Sequence, residues 1–253
     1  MPYPRRTRSF EPYSSFTLPP GVKWLIIINV VLFIAYFLAR GTNFEALFLP
    51  FGLVPSDVVR SLWVWQLFTY MFLHSPVDFW HVLFNMFSLW MFGAPLENSW
   101  GTRRFLKYYF VCGVGAGICV VLVNLLLGRI DTAPRVIGAS GAVFGLLLAF
   151  GIVFAETTVL FSFLFPIKAK YMALIFGGIE FLSSLRPMGS GVSHVAHLGG
   201  MLFGLVYLKR QSVDLNFWDS LEQRYKEWKF QRAKRKFQVY LRKQNKKHDH
   251  TVH

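Results

Sequence analysis

The chain has 253 residues, 54% of them hydrophobic and 16% charged. A soluble domain carries about 25% charged residues, so the shortfall excludes an ordinary soluble globule and points to a membrane protein. The net charge of +14 does not imply nucleic acid, because the excess sits at the ends: Arg5, Arg6 and Arg8 near the start, and a basic stretch from Lys209 onward. Basic flanks beside apolar spans report topology and contact with anionic membrane lipid.

Six apolar runs approach the length needed to cross a bilayer, about 17 to 25 residues. The first, Val22 to Ala39, follows Pro19-Pro20-Gly21 and has no well-placed small-residue cleavage site. It is expected to stay as an anchor rather than be removed as a signal peptide. The connection that follows is long and rich in Phe44, Leu47, Phe48, Phe51, Trp63, Trp65, Leu67, Phe68, Tyr70 and Phe72. Such a segment is expected to fold back into the membrane interface, with its tryptophans at headgroup depth. The remaining runs are Phe79 to Leu96, Phe105 to Leu127, Val136 to Ala155, a weaker one from Tyr171 to Leu185, and Val192 to Leu208. The expected architecture is an all-α polytopic membrane protein: a cytoplasmic segment (1–21), a six-helix bundle (22–208) and a basic cytoplasmic tail (209–253). In the tail, Trp218, Leu221, Tyr225 and Trp228 recur at helical spacing. That pattern suits a basic amphipathic helix on the inner leaflet, and equally a solvated tail.

Charge counting orients the spans. Arg5, Arg6, Arg8 and Lys23, then Arg103, Arg104 and Lys107, then Lys168 and Lys170, then the tail all fall on one side, assigned to the cytoplasm. The opposite loops hold mainly Arg40, Arg60, Arg129, Arg135 and Arg186. Spans two, four and six therefore begin at the outer face. His81, Ser140 and His197 lie near those beginnings and share one depth.

Span four carries Gly138-Ala139-Ser140-Gly141, and span six carries Ala196-His197-Leu198-Gly199-Gly200. Gly141 with Gly145, and Gly200 with Gly204, have GxxxG spacing, which lets two helix backbones approach closely. His197 is on the same face as Gly200 and Gly204. If the two glycine faces meet, the imidazole reaches the hydroxyl, and a serine nucleophile needs such a base. His194, one turn earlier, is the rival base, but the glycine face runs through His197. His81 and Asn85 are spaced i,i+4 on span two and offer donors for a developing oxyanion, with the Ser140 backbone N–H as a third. Taken singly, each of these has an ordinary structural explanation in helix packing. Glu180 is the acidic residue of span five. It faces the same cavity or pairs with Arg186, and without a carboxylate in spans four (before Glu156) or six a dyad is expected over a triad. Cys112 and Cys119 share one apolar run and read as small packing residues. No CxxC or HExxH spacing is present, so neither a metal nor a cofactor is expected.

Together these motifs resemble the rhomboid family of intramembrane serine proteases over about residues 24 to 208. His81-Val-Leu-Phe-Asn85 and Leu96-Glu97-Asn98-Ser99-Trp100-Gly101 add to the match. The resemblance implies Ser140 as nucleophile, His197 as general base, and oxyanion stabilisation by His81, Asn85 and the Ser140 backbone. It implies an aromatic ring, Phe144, stacked on the catalytic imidazole, where some relatives carry tyrosine. It implies transmembrane proteins as substrates, cut near their outer ends, and the six-span bacterial form in the cell membrane. Trp65-Gln66 stands where many relatives have Trp-Arg, which puts that loop's usual ion contacts in question. A non-catalytic relative is disfavoured because serine and histidine are both present. A transporter is disfavoured because no internal repeat is visible.

Overall fold

The computed structural model describes residues 18–161, 165–185 and 194–210. The chain divides into two compact units, Met1–Tyr207 and Leu208–His253. The fold described below is that of the first unit. Arg5, Arg6, Arg8, Arg186, Val192 and the tail's Trp218, Leu221, Tyr225 and Trp228 lie outside the described residues.

The protein is predominantly helical. Helix α1 (Pro20–Ala39) starts on a proline, where a missing N–H costs nothing and φ is already helical. Its first amides are capped from afar. The buried Glu97 carboxylate accepts the Gly21 N–H and the Val22 N–H, each at 2.7 Å, and the Thr102 hydroxyl at 2.7 Å. A negative charge at a helix N-terminus satisfies orphan amides and complements the dipole. Glu97 closes α4 (Phe79–Trp100), so this one side chain ties the start of α1 to the α4–α5 turn. Glu97→Gln is expected to lower the unfolding midpoint in detergent. The amide turns one buried acceptor into a donor facing an N–H, a loss of about 1–3 kcal/mol. A thermal melt that overlays the wild type would make the cap incidental.

Between α1 and α4 the chain runs through short turns, α2 (Pro55–Arg60) and α3 (Gln66–Thr69), which pack on α5 (Thr102–Leu126). Gln66 stands in for the expected arginine and is buried. Its Oε1 accepts the Val54 N–H at 2.9 Å, and its Nε2 donates to the Pro50 carbonyl at 3.2 Å and to Asp57 at 3.3 Å. A neutral amide thus holds this loop together by hydrogen bonds. Its Phe44, Leu47, Phe51, Trp65 and Phe68 remain exposed.

Helix α6 (Ser140–Val153) is central and contacts α4, α5 and α7 (Ala169–Ser184). It is shorter at both ends than the apolar run Val136 to Ala155. Val136 instead pairs with Leu53 through reciprocal backbone hydrogen bonds of 2.9 and 2.8 Å, and the Gly138 N–H donates to the Tyr70 carbonyl at 2.9 Å. Gly138 has φ +121, a conformation no helix tolerates. The helix therefore begins at Ser140, not four residues earlier. An apolar count cannot detect this, because Val136 and Ile137 are as hydrophobic as the helix itself.

The all-α expectation also omits a hairpin. Strands β1 (Thr158–Phe161) and β2 (Phe165–Lys168) pair antiparallel, with Thr158 opposite Lys168 and Val159 opposite Ile167. The run is β-branched and aromatic but too short for a span. Glu156 braces its base through Lys168 and Lys170, at 2.6 and 2.5 Å. Hydrogen bonds from these two lysines hold the exposed Glu156 carboxyl down at about 2.

A further helix, α8, follows α7 and is described in this unit over residues 194–207. By length and composition, α1 and α5 are able to cross a membrane, and α6 is a shorter apolar helix.

Candidate active site

Ser140 is the first residue of α6, where the helix leaves its leading N–H groups without intrahelical partners. His197 lies in the first described turn of α8. The two meet: His197 Nε2 is 2.8 Å from Ser140 Oγ. The glycines make this possible. A Cβ on Gly200 would overlap the Gly141 carbonyl, and one on Gly145 would come within 3.1 Å of the Gly200 carbonyl oxygen. A Cβ on Gly141 would sit 3.4 Å from the Ala196 carbonyl and 2.7 Å from Ala116 Cβ. The two GxxxG faces are therefore in backbone contact, as their spacing predicts. Gly204 plays a different part and makes room for the Tyr108 hydroxyl and Cys112 of α5. Cys112 is buried and free, Cys119 partly buried and free.

Phe144, one turn into α6, lies flat on the His197 ring at 4.2 Å between centroids and 13° between planes. It fixes the plane of the imidazole without a hydrogen bond. His81 reaches the site from α4. The Asp78 carboxylate caps that helix by accepting the His81 N–H at 3.1 Å, which places His81 in the first turn. A Cβ on Gly138 would come within 2.9 Å of both Cε1 and Nε2 of His81 and 3.9 Å from Ser140 Oγ. Gly138 thus serves the site twice: its positive φ ends the extended segment, and its missing side chain lets the His81 ring lie over the approach to Ser140. Asn85 is buried, and one of its amide hydrogens is engaged by the His81 carbonyl at 2.8 Å. An amide has two such hydrogens, so one donor remains for a ligand.

Two residues go beyond the expected constellation. His74, in the turn before α4, is fully buried with its ring 5.2 Å from that of His81. Burial, then the neighbouring His81, pushes its pKa down to about 3, so it packs as a neutral ring behind His81. Its signal in the sequence is only a second histidine seven residues upstream. The other is Glu180. Its Oε2 is 2.5 Å from His194 Nδ1 and 3.0 Å from His197 Nδ1. The Glu180 carboxylate thus faces the two histidines, and its alternative partner Arg186 lies outside the described residues. His194 is turned to Glu180, and His197 is the histidine that faces Ser140. Among the described residues these three groups also bring ligand-type atoms within 4.8 Å of one another. Ligands around one zinc ion, each at about 2.0–2.1 Å in tetrahedral geometry, would stand about 3.3 Å apart. The observed separations suit imidazole nitrogens against a carboxylate oxygen, with a hydrogen bond formed by His194.

Chemically, the cluster offers a hydroxyl in contact with an imidazole, the His81 ring beside it, and backbone amides at a helix start. These are the parts of an acyl-transfer site.

The Rhomboid domain family model matches residues 62–210, more than half of the chain. The chain belongs to the rhomboid family. Among its relatives, Rhomboid protein 1, mitochondrial, of Saccharomyces cerevisiae is 32% identical over 142 residues, covering 53% of this chain and 38% of that protein. Rhomboid protease GluP of Bacillus subtilis is 27% identical over 180 residues, 71% of this chain and 32% of GluP. The putative rhomboid protease YdcA of the same organism is 28% identical over 207 residues, 79% of this chain and 92% of YdcA. The chain thus spans 38% and 32% of the first two relatives and nearly all of the third. As a rhomboid with long apolar helices, it is a membrane protein.

Proposed function

We propose that this rhomboid is an intramembrane serine protease that hydrolyses peptide bonds in or beside transmembrane segments of other membrane proteins. The observation that carries the reading is the 2.8 Å contact between His197 Nε2 and Ser140 Oγ, on a ring held by Phe144. GluP bears the name of a protease and YdcA that of a putative one, which supports the same chemistry. His197 takes the hydroxyl proton as Ser140 Oγ bonds to the scissile carbonyl carbon. The carbonyl π pair moves onto oxygen, where His81, the free Asn85 amide hydrogen and the Ser140 N–H receive it. As the C–N bond breaks, the imidazolium gives its proton to the leaving amine. Water then attacks the acyl-serine by the same route in reverse. No metal or cofactor is needed.

Six helices, α1, α4, α5, α6, α7 and α8, serve as the spans in this reading, with both termini in the cytoplasm and the site near the outer face of a bacterial inner membrane. The polar groups at the beginnings of α4, α6 and α8 support that placement, since water must reach the acyl-enzyme.

His81→Ala and Asn85→Ala are expected to slow turnover without ending it. Losing one oxyanion donor costs roughly 10² to 10³, and the other donors still act. Initial rates on a single-span substrate measure this, and unchanged rates in both variants would leave the pair a structural role.

The reading itself is tested by reconstituting the purified protein in liposomes with a panel of single-span proteins and mapping products by mass spectrometry. Cuts in or next to the spans support it. Intact substrates throughout, with a correctly folded protein, would contradict it.

A further inference from the structure

Glu180 is an ionisable group on a helix that faces other helices, and the proposed chemistry makes no use of it. Intramembrane carboxylates are costly and persist where they are paired. Glu180 is paired with both histidines of α8, which lie three residues apart and hence on one face. The side chains are mostly enclosed: Glu180 is 12% exposed, His197 14% and His194 22%.

We infer that Glu180 is a positioning residue for the hydrolytic site: its carboxylate holds His197 in the one tautomer and orientation able to deprotonate Ser140, making a serine–histidine–glutamate relay rather than a dyad. The inference rests on the protease reading above and deepens it. An ionised carboxylate only accepts hydrogen bonds. Both Nδ1 atoms that face Glu180 Oε2 therefore carry their protons. His197 Nε2 is then left with a lone pair, and it is that atom which meets the Ser140 hydroxyl. Without the carboxylate, the buried Nδ1 of His197 has no other acceptor within hydrogen-bond reach among the described residues, and the opposite tautomer, useless as a base toward Ser140, becomes accessible.

The His197–Glu180 contact is close but bent, so that it falls short of a formed hydrogen bond. Contacts of this kind tighten in the reacting complex. Here the change needed is small, because the terminal torsion of a glutamate is soft and proton transfer from Ser140 puts positive charge on the ring facing the carboxylate. His194 has a supporting part, anchoring the same oxygen at 2.5 Å. Among the described residues, the other ionisable groups facing His197 or its helix are His81 of α4 and, from α5, Cys119 beside Gly199 and Tyr108 and Cys112 beside Gly204. None of these is a carboxylate, so none substitutes for Glu180.

The test compares wild type, Glu180→Gln and Glu180→Asp in detergent, by initial rates on a single-span substrate and by the rate of labelling with a fluorophosphonate. In labelling, serine oxygen bonds to phosphorus, fluoride leaves, and the proton passes to His197, so the readout bypasses substrate binding. Where a carboxylate fixes the base's tautomer, its amide costs up to about 10⁴. Sharing with His194 and the bent contact reduce the expectation here to roughly 10². The inference predicts that loss in kcat for Glu180→Gln, with KM within about twofold, labelling slowed in parallel and an unchanged unfolding midpoint. Glu180→Asp, with its charge kept but retracted, falls between. A folded Glu180→Gln labelled at the wild-type rate, or impaired only in KM, overturns it. Should Glu180→Gln fail to fold, Glu180→Asp decides: wild-type labelling overturns the inference and roughly tenfold slower labelling supports it. A wild type that takes no label fails the protease reading and takes this inference down with it.

Discussion

Ser140→Ala loses on the order of 10⁶ in turnover while its unfolding midpoint stays near that of the wild type. Removing the nucleophile of a serine protease costs about that much, because what remains can only bind and polarise the substrate. The fold should tolerate the change. Alanine at a first helical position is sterically smaller and helix-favouring, and the glycine contacts that seat α8 on α6 involve Gly141, Gly145 and Gly200, not the hydroxyl. Cleavage of a single-span substrate, followed beside a thermal melt, checks both halves. Robust cleavage by the variant would remove Ser140 from the chemistry.

His197→Ala is expected to lose nearly as much, and His194→Ala far less. In sites where nucleophile and base act as a unit, removing either costs about as much as removing both. His197 is the imidazole in contact with Ser140 Oγ, whereas His194 is turned to Glu180. Measured side by side, the two variants distinguish the base from its anchor. An inactive His194 variant beside an active His197 variant would reverse the assignment.

The parts of the site carried by local spacing were legible in the sequence. Gly141 and Gly145, Gly200 and Gly204 announce close helix approach by their period alone, and His197 follows because it shares the face. What spacing cannot convey is which groups face each other across helices. Glu180 is visible as an odd carboxylate in an apolar run. That it faces His194 and His197 depends on the rotation of α7, which the sequence leaves undetermined. His74 is silent for the same reason, since nothing local says that a loop histidine will pack behind His81. Segment ends failed where hydrophobicity stayed constant while the backbone changed. Val136 and Ile137 read as helix, yet Gly138 at φ +121 ends the extended segment that pairs with Leu53. The hairpin at Thr158–Lys168 escaped notice because its strands are only four residues each.

The most direct measurement of the central claim is localisation of a covalent adduct. Purified protein is treated with a fluorophosphonate and digested, and the modified residue is found by mass spectrometry. The account predicts a single adduct on Ser140, lost in Ser140→Ala and strongly slowed in His197→Ala. An adduct on another serine such as Ser183 or Ser184, or a folded wild-type protein that takes none, would contradict it.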